Sequence, residues 1–236
     1  MMPSLKTLGL TLMAAAFALS GVGASLASAE TAHFTVEGVG PGETAGLSGS
    51  PIGVVNTYLV NGVAITCKRD SLQGKALSTG PEPSTITLEP TYEGCHMVIA
   101  GLTKIVTFTT NGCAYLYQVT KNTNSAPFSA DLTIECNEAG PKQIEVHVYL
   151  AAGNENTILC TFDLTPHTAL TGTIELTNEP ATSPGDIIEH INVSTPLHST
   201  FASGLCGPNE TANWAFQNTF TLRGLKGATP VSMTVS

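Results

Sequence analysis

Charge is scarce in this chain, and positive charge is scarcest. Across 236 residues Lys and Arg number 9 against 18 Asp and Glu, and charged residues make up 11% of the sequence, where about a quarter is usual. Apart from Lys68-Arg69 no two basic residues stand together. Nucleic-acid affinity comes largely from neutralising phosphates, so that class is excluded. Aromatics are thin as well: the single Trp leaves little for an exposed carbohydrate platform. The longest apolar run, Leu8 to Leu19, falls short of the roughly 20 residues a membrane helix needs. Beyond it, no segment sustains the i, i+3, i+4, i+7 apolar spacing of a helix. Signatures of nucleophilic and zinc catalysis are missing too: no Gly-x-Ser-x-Gly, no Ser-x-x-Lys with its companions, no His-Glu-x-x-His. Gly46-Leu47-Ser48-Gly49-Ser50 and Ser203-Gly204 read as turn compositions.

What stands in place of these is a leader and six cysteines. Residues 1–29 have the pattern of a signal peptide: Lys6 in a short polar start, the apolar run, then Ala27-Ser28-Ala29 before Glu30, with cleavage expected after Ala29. Losing Lys6 takes the net charge from −9 to −10. Cys67, Cys95, Cys113, Cys136, Cys160 and Cys206 all follow the leader, in a compartment where disulfides persist. Residues 30–236 are expected to be secreted or extracellular, with no membrane span once the leader is gone. They read as one extended unit, a division near 122–127 being the alternative.

The dominant periodicity is two. Leu132, Ile134 and Cys136 share one face of Asp131–Cys136, and Ile144, Val146, Val148 and Leu150 share one face of Gln143–Leu150. Ile158–Leu164, Cys113–Val119 and Trp214–Leu222 alternate likewise, so each reads as a half-buried strand. Trp214 falls in phase with Phe216, Phe220 and Leu222 and is assigned to the core. Asn61-Gly62 and Asn111-Gly112 accommodate the positive φ angles of type I′ turns and read as tight hairpins. Gly- or Pro-rich breaks are expected at 38–51, 79–84, 122–127, 165–168, 179–185 and 204–210. Short strands at this spacing predict an all-β fold, an antiparallel β-sandwich (Ig-like or similar) pinned by disulfides. Six cysteines admit fifteen connectivities. Sequential pairing is the expectation: Cys67–Cys95, Cys113–Cys136 and Cys160–Cys206. Zinc is the competing use, but there is no Cys-x-x-Cys pair or Cys–His cluster to hold it.

One polar constellation offers a metal site. If Asp131–Cys136 pairs with Gln143–Leu150 as a hairpin, Asp131, Thr133 and Glu135 lie across from Glu145, His147 and Tyr149. One register sets Asp131 opposite His147 and the other sets Glu135 opposite Glu145, close enough to share a hard cation such as calcium. The bland alternative is a solvated strand face. His33, His96, His167, His190 and His198 are scattered and read as surface or loop residues. Asn192-Val193-Ser194 and Asn209-Glu210-Thr211 have the form of glycosylation sequons and read as accidental matches.

The run Thr87-Leu88-Glu89-Pro90-Thr91-Tyr92-Glu93-Gly94-Cys95, followed by Thr110-Asn111-Gly112-Cys113-Ala114-Tyr115, carries a resemblance. Taken with Ile134-Glu135-Cys136, Ile158-Leu159-Cys160-Thr161 and Leu176-Thr177-Asn178-Glu179, it resembles uncharacterised secreted proteins of soil actinobacteria over residues 60–225. The resemblance implies secretion and a disulfide-pinned β fold, with no known activity and no catalytic residues to carry over.

The function expected is that of a non-catalytic secreted or cell-surface protein, structural or binding, whose partner is an extracellular protein or a glycan. No cofactor is expected beyond a possible calcium. The alternatives are a secreted hydrolase using paired carboxylates, a cation-binding module and a secreted inhibitor.

Overall fold

The computed structural model describes residues 32–40, 43–53, 56–77, 85–120, 126–137, 143–151, 154–165, 170–179, 184–201 and 211–236. The expected leader, Cys206 and the 204–210 break therefore lie outside the described residues, as does His167. Within them the chain is all β, and no helix is long and apolar enough to cross a membrane.

Six staves of the fold are each made of two strands in sequence. They are β2 (Thr44–Pro51) with β3 (Asn56–Val60), β4 (Val63–Cys67) with β5 (Arg69–Leu77), and β6 (Thr85–Glu93) with β7 (Cys95–Ile99). There follow β8 (Leu102–Thr109) with β9 (Cys113–Val119), β10 (Phe128–Cys136) with β11 (Ile144–Ala151), and β12 (Asn154–Leu164) with β13 (Thr171–Glu179). Two uninterrupted staves, β14 (Asp186–Phe201) and β15 (Thr211–Lys226), complete the set. The pairing order runs β15-β2-β5-β6-β9-β10-β13-β14 through a lower tier. It runs β15-β3-β4-β7-β8-β11-β12-β14 through an upper tier. Both return to the β14–β15 pair, so the main sheet closes into an eight-staved antiparallel barrel and is not a clear two-sheet sandwich. The strand pattern alone cannot separate the two, because inward and outward residues alternate in either one.

The inward positions are apolar along nearly every stave: Phe128, Ala130, Leu132 and Ile134 on β10, and Ile144, Val146 and Val148 on β11, are buried. Trp214 is 1% exposed, in the core as its phase implies. Where two backbones approach closely the sequence supplies glycine. A Cβ on Gly74 of β5 would lie 1.9 Å from the Thr87 carbonyl oxygen of β6. Part of the expected 38–51 break is instead strand β2, where a Cβ on Gly49 would lie 2.7 Å from Leu72 Cβ of β5 and one on Gly46 3.1 Å from Leu225 Cβ of β15. At the lower mouth β1 (Phe34–Val36) pairs with β17 (Met233–Val235). This ribbon buries Phe34, Val36, Met233 and Val235 against the barrel end, held by Asn178, whose side chain bonds both Val235 N and Val235 O.

The waist between the tiers is where the sequence reading needs correction. Asn61-Gly62 is a hairpin, with Val60 opposite Val63 and positive φ at both turn residues. Asn111-Gly112 has the same backbone, and Cys113 N–H donates to the Thr110 carbonyl at 2.8 Å. Its flanking strands do not pair: β8 lies between β7 and β11, and β9 lies between β6 and β10. The turn passes the chain from one tier to the other. Both described disulfides sit at such crossings. Cys67–Cys95 ties the end of β4 to the start of β7, and Cys113–Cys136 ties the start of β9 to the end of β10. Cys160 is disulfide-bonded as well; the other half of the expected Cys160–Cys206 pair lies outside the described residues. Near the upper end, register shifts follow Val148, with Val148 opposite Cys160 but Tyr149 opposite Ile158. Leu150 and Ile158 thereby leave the inward face that strict alternation assigned them and become exposed.

Gly74→Ala tests the closeness of β5 and β6. The added methyl meets a backbone oxygen that cannot move without breaking the ladder, so a loss of about 3 kcal/mol is expected. Urea unfolding measures it, and an unchanged midpoint would show that the two strands can separate there without penalty.

Candidate functional site

The barrel interior departs from hydrocarbon at two acids. On β14 the inward residues are Ile187, Glu189, Ile191 and Val193, so Glu189 occupies a position that the pattern reserves for an aliphatic side chain. It is 0% exposed, and its neighbours across the ladder are Leu176 and Phe220. Neither Glu189 oxygen has a hydrogen-bond partner among the described residues, and the same holds for the buried Tyr117 hydroxyl. Burial pushes the Glu189 carboxyl up to about 8, the Tyr117 hydroxyl offsetting only part of the effect. Burial likewise drives the Tyr117 phenol well above its ordinary value, and the Glu189 charge adds to this.

The second acid is Asp70, on β5 just below the waist. The Tyr58 hydroxyl of β3 donates to Asp70 Oδ2 at 2.5 Å, a bond that crosses from tier to tier. Asp70 Oδ1 has no partner among the described residues. Burial raises Asp70 to about 6, against the opposing pull of hydrogen bonds from Tyr58 and Asn56. Asn56 in turn accepts from the side-chain amide of Asn218 on β15. Around this pair the aromatics close in: Tyr58 stacks on Phe216 at 4.7 Å and on Trp214 at 5.2 Å, and Tyr92 stacks on Phe108 at 4.2 Å. The Tyr92 and Tyr115 hydroxyls share a hydrogen bond of 2.6 Å, and burial pushes Tyr115 up to about 12. The cavity that these residues line measures about 10 Å³. That is room for about one water and for no larger group.

The metal candidates are not brought together. Strand β10 is flanked by β9 and β13, and β11 by β8 and β12, so the hairpin that would have joined them does not exist. Asp131 lies opposite Gln118 and Glu135 opposite Ala114 in the lower tier. Glu145 lies opposite Thr109 and Asp163, and His147 opposite Thr107 and Thr161, in the upper tier. The physical reason is that β10 belongs to the lower tier and β11 to the upper, each already flanked by other strands. What remains of the constellation is local: His147 Nε2 lies 3.7 Å from Glu145 Oε2, and Gln143 Nε2 donates to Glu145 Oε1 at 3.2 Å. Ligand atoms of Cys67, Asp70 and Cys95 do lie within 4.8 Å of one another, but the two sulfurs are bonded to each other, which removes the thiolates a metal needs.

Open concavities lie on the outer surface. One, of about 420 Å³, crosses β13, β14 and β15 in two ladder rows: Glu175, His190 and Thr219, then Thr173, Asn192 and Gln217. His190 Nδ1 lies 3.1 Å from Thr219 Oγ1. A second, of about 850 Å³, is lined by Thr44, Gln73, Lys75, Thr87 and Glu89. Both are walled by hydroxyl, amide and charged groups. The two interior acids were open to detection by phase alone: Glu189 is in step with Ile187 and Ile191, and Asp70 with Leu72.

Comparison with protein-family models, with curated proteins and with solved structures finds no match. The class that the structure defines is a disulfide-linked, closed, eight-staved antiparallel barrel with a filled interior.

The raised carboxyls set the direction of pH dependence. The native state holds a proton on Glu189 up to about pH 8, whereas an unfolded glutamate releases it near pH 4.5, so stability falls as pH rises through that window. Asp70 adds to the fall up to about pH 6. The urea midpoint is expected to be higher at pH 5 than at pH 8, and Glu189→Gln, which stays neutral, is expected to flatten the slope between pH 6 and pH 8. Equal slopes for the two proteins would refute the assignment.

Proposed function

We propose that this chain is a non-catalytic secreted or cell-surface protein that binds a protein or a glycan through the outer face and end turns of its barrel. The observation that carries the reading is the location of the perturbed acids. Asp70 lines an enclosed space of about 10 Å³ and Glu189 is wholly buried, whereas the roomy concavities are outside and lined by hydroxyl, amide and charged side chains. Groups of that kind hydrogen-bond a polar partner laid on the surface. The Cys67–Cys95 and Cys113–Cys136 bridges support an oxidising compartment, and the signal-like pattern of residues 1–29 supports export. The resemblance to secreted actinobacterial proteins points the same way.

A second reading, cation binding or carboxylate chemistry in the upper tier, draws on one observation: Glu145 stands directly opposite Asp163, with His147 in contact with Glu145. The oxidised protein spanning residues 30–236 separates the two when melted across calcium, zinc, EDTA and a panel of cell-wall and plant polysaccharides. A shift of several degrees with a polysaccharide, unchanged in Glu145→Gln, is the expected result for a glycan partner. A calcium shift that Glu145→Gln abolishes favours the second reading. Turnover of any panel member, lost in Glu145→Gln, would overturn the non-catalytic assignment.

A further inference from the structure

Three donors of the metal-binding kind meet at the waist. Cys67 ends β4, Cys95 begins β7, and Asp70 lies near the start of β5. Each is shut away from solvent: Cys67 is 0% exposed, Cys95 5% and Asp70 7%. One ligand atom from each, two sulfurs and a carboxylate oxygen, lie within 4.8 Å of one another. Zinc holds sulfur at about 2.3 Å and carboxylate oxygen at about 2.1 Å, so donors on one ion stand at most about 4.6 Å apart. The cluster is already near the size that a single ion gathers. In the oxidised chain the Cys67–Cys95 bond uses both sulfurs; in the unoxidised chain both are free to act as thiolates.

Asp70 has a capacity that the oxidised waist leaves unused. Its Oδ1 is buried with no hydrogen-bond partner among the described residues, while its Oδ2 accepts from the Tyr58 hydroxyl at 2.5 Å. A carboxylate with one oxygen open and the other held by a hydrogen bond is arranged as a metal ligand steadied from its outer side. Leaving a buried oxygen unpaired costs about 1–3 kcal/mol, and a cation satisfies it. The enclosed space of about 10 Å³ that Asp70 and Tyr58 help to line has the volume of about one water, the fourth donor of a tetrahedral ion. Lys68-Arg69, the one adjacent basic pair of the chain, falls between Cys67 and Asp70 and offsets part of the charge of three anionic donors.

We propose that, before the Cys67–Cys95 bond forms, Cys67, Cys95 and Asp70 hold a divalent transition ion of the zinc class, so that β4 and β7 are tied first by metal and afterwards by disulfide. Softness selects the ion: two thiolates favour zinc over calcium or magnesium, which take oxygen donors. Because the site is sealed, the ion enters as the chain folds, and its binding energy adds to folding. The exchange balances with a disulfide as the oxidant. The two thiolates give up two electrons and join as the Cys67–Cys95 bond. The oxidant's own disulfide accepts the electrons and leaves as two thiolates, and the ion departs with its charge unchanged. The crosslink of the lower tier differs: among the described residues no carboxylate or imidazole completes such a cluster with Cys113 and Cys136.

This site is independent of the surface reading, since melts of the oxidised protein leave it unloaded. The test refolds the chain under argon with a phosphine reductant and titrates it with cobalt(II), whose thiolate charge-transfer band reports sulfur ligation. One cobalt per chain, displaced by zinc, is expected. Asp70→Asn, close to isosteric, is expected to weaken cobalt binding at least about tenfold. Cys67→Ser with Cys95→Ser is expected to abolish the band, and Cys113→Ser with Cys136→Ser to keep it. Should Asp70→Asn fail to fold, Tyr58→Phe, which releases Oδ2, is expected to weaken binding about tenfold instead. An oxidised dithiol added to the loaded chain is expected to free one cobalt for each Cys67–Cys95 bond found by peptide mapping. Absence of the band overturns the proposal, as does a band that persists without Cys67 and Cys95 or is indifferent to the folded Asp70 or Tyr58 variant. Cobalt retained after the Cys67–Cys95 bond has formed overturns it too.

Discussion

The structure depends on closure, and closure depends on the pairing of β14 with β15. These two staves stay in register from Ile187 opposite Leu222 to His198 opposite Thr211. Their remaining edges are shared out: lower halves to β13 and β2, upper halves to β12 and β3. One long hairpin therefore closes both tiers. Without it the sheet would present two open edges, each a row of unpaired N–H and C=O groups ready to recruit another chain. The six split staves cross at the waist, where Cys67–Cys95 ties β4 to β7 within the upper tier and Cys113–Cys136 ties β9 to β10 within the lower. Tyr58 completes the connection from within, donating upward-tier to lower-tier to Asp70 while packed between Phe216 and Trp214.

Given that closure, the placement of Glu189 and Asp70 is costly. A carboxyl raised from its ordinary value to about 8 represents several kcal/mol between its two protonation states. That is the same order as a disulfide closing a loop of this size contributes. A barrel of this design is thus most stable when mildly acidic. Its crosslinks offset what ionisation removes at higher pH, so reduction and alkalinity act on one account of stability and should weaken the fold more together than either does alone. The buried tyrosines relieve the charge only in part: Tyr117 offsets some of the effect of burial on Glu189, and Tyr92 and Tyr115 are occupied with each other.

Much of this was legible in the residues, and the parts that were not share a cause. Period-two alternation placed the faces of β10 and β15, and of β11 as far as Val148, because a strand half in and half out of a core has that pattern whatever its neighbours are; the bulge beyond Val148 turned Leu150 outward. The cysteines at 67, 95, 113 and 136 pair in sequence because consecutive staves are neighbours in the barrel. Partner choice was not legible. Asn111-Gly112 has the backbone of a hairpin turn and Asn137–Lys142 has the length of a hairpin loop, yet β8 does not pair with β9, nor β10 with β11. Local chemistry specifies a turn; whether the emerging strand pairs back or continues into the other tier is decided by the edges already occupied. The metal constellation failed with the hairpin it assumed. Glu189, by contrast, was visible as an acid in phase with Ile187 and Ile191, and its burial follows from that phase.

The same logic of faces governs where a partner can bind. The interior space beside Asp70 measures about 10 Å³, and the barrel flanks carry acidic residues, which repel other acidic partners. The outer rows of Thr173, Asn192 and Gln217 present hydrogen-bonding groups at strand spacing of about 4.8 Å, suited to a polar, extended ligand laid across the ladder. The groove across β13, β14 and β15 lies on a rigid frame, and its rows of hydroxyls and amides stand already spaced for such a ligand before it binds.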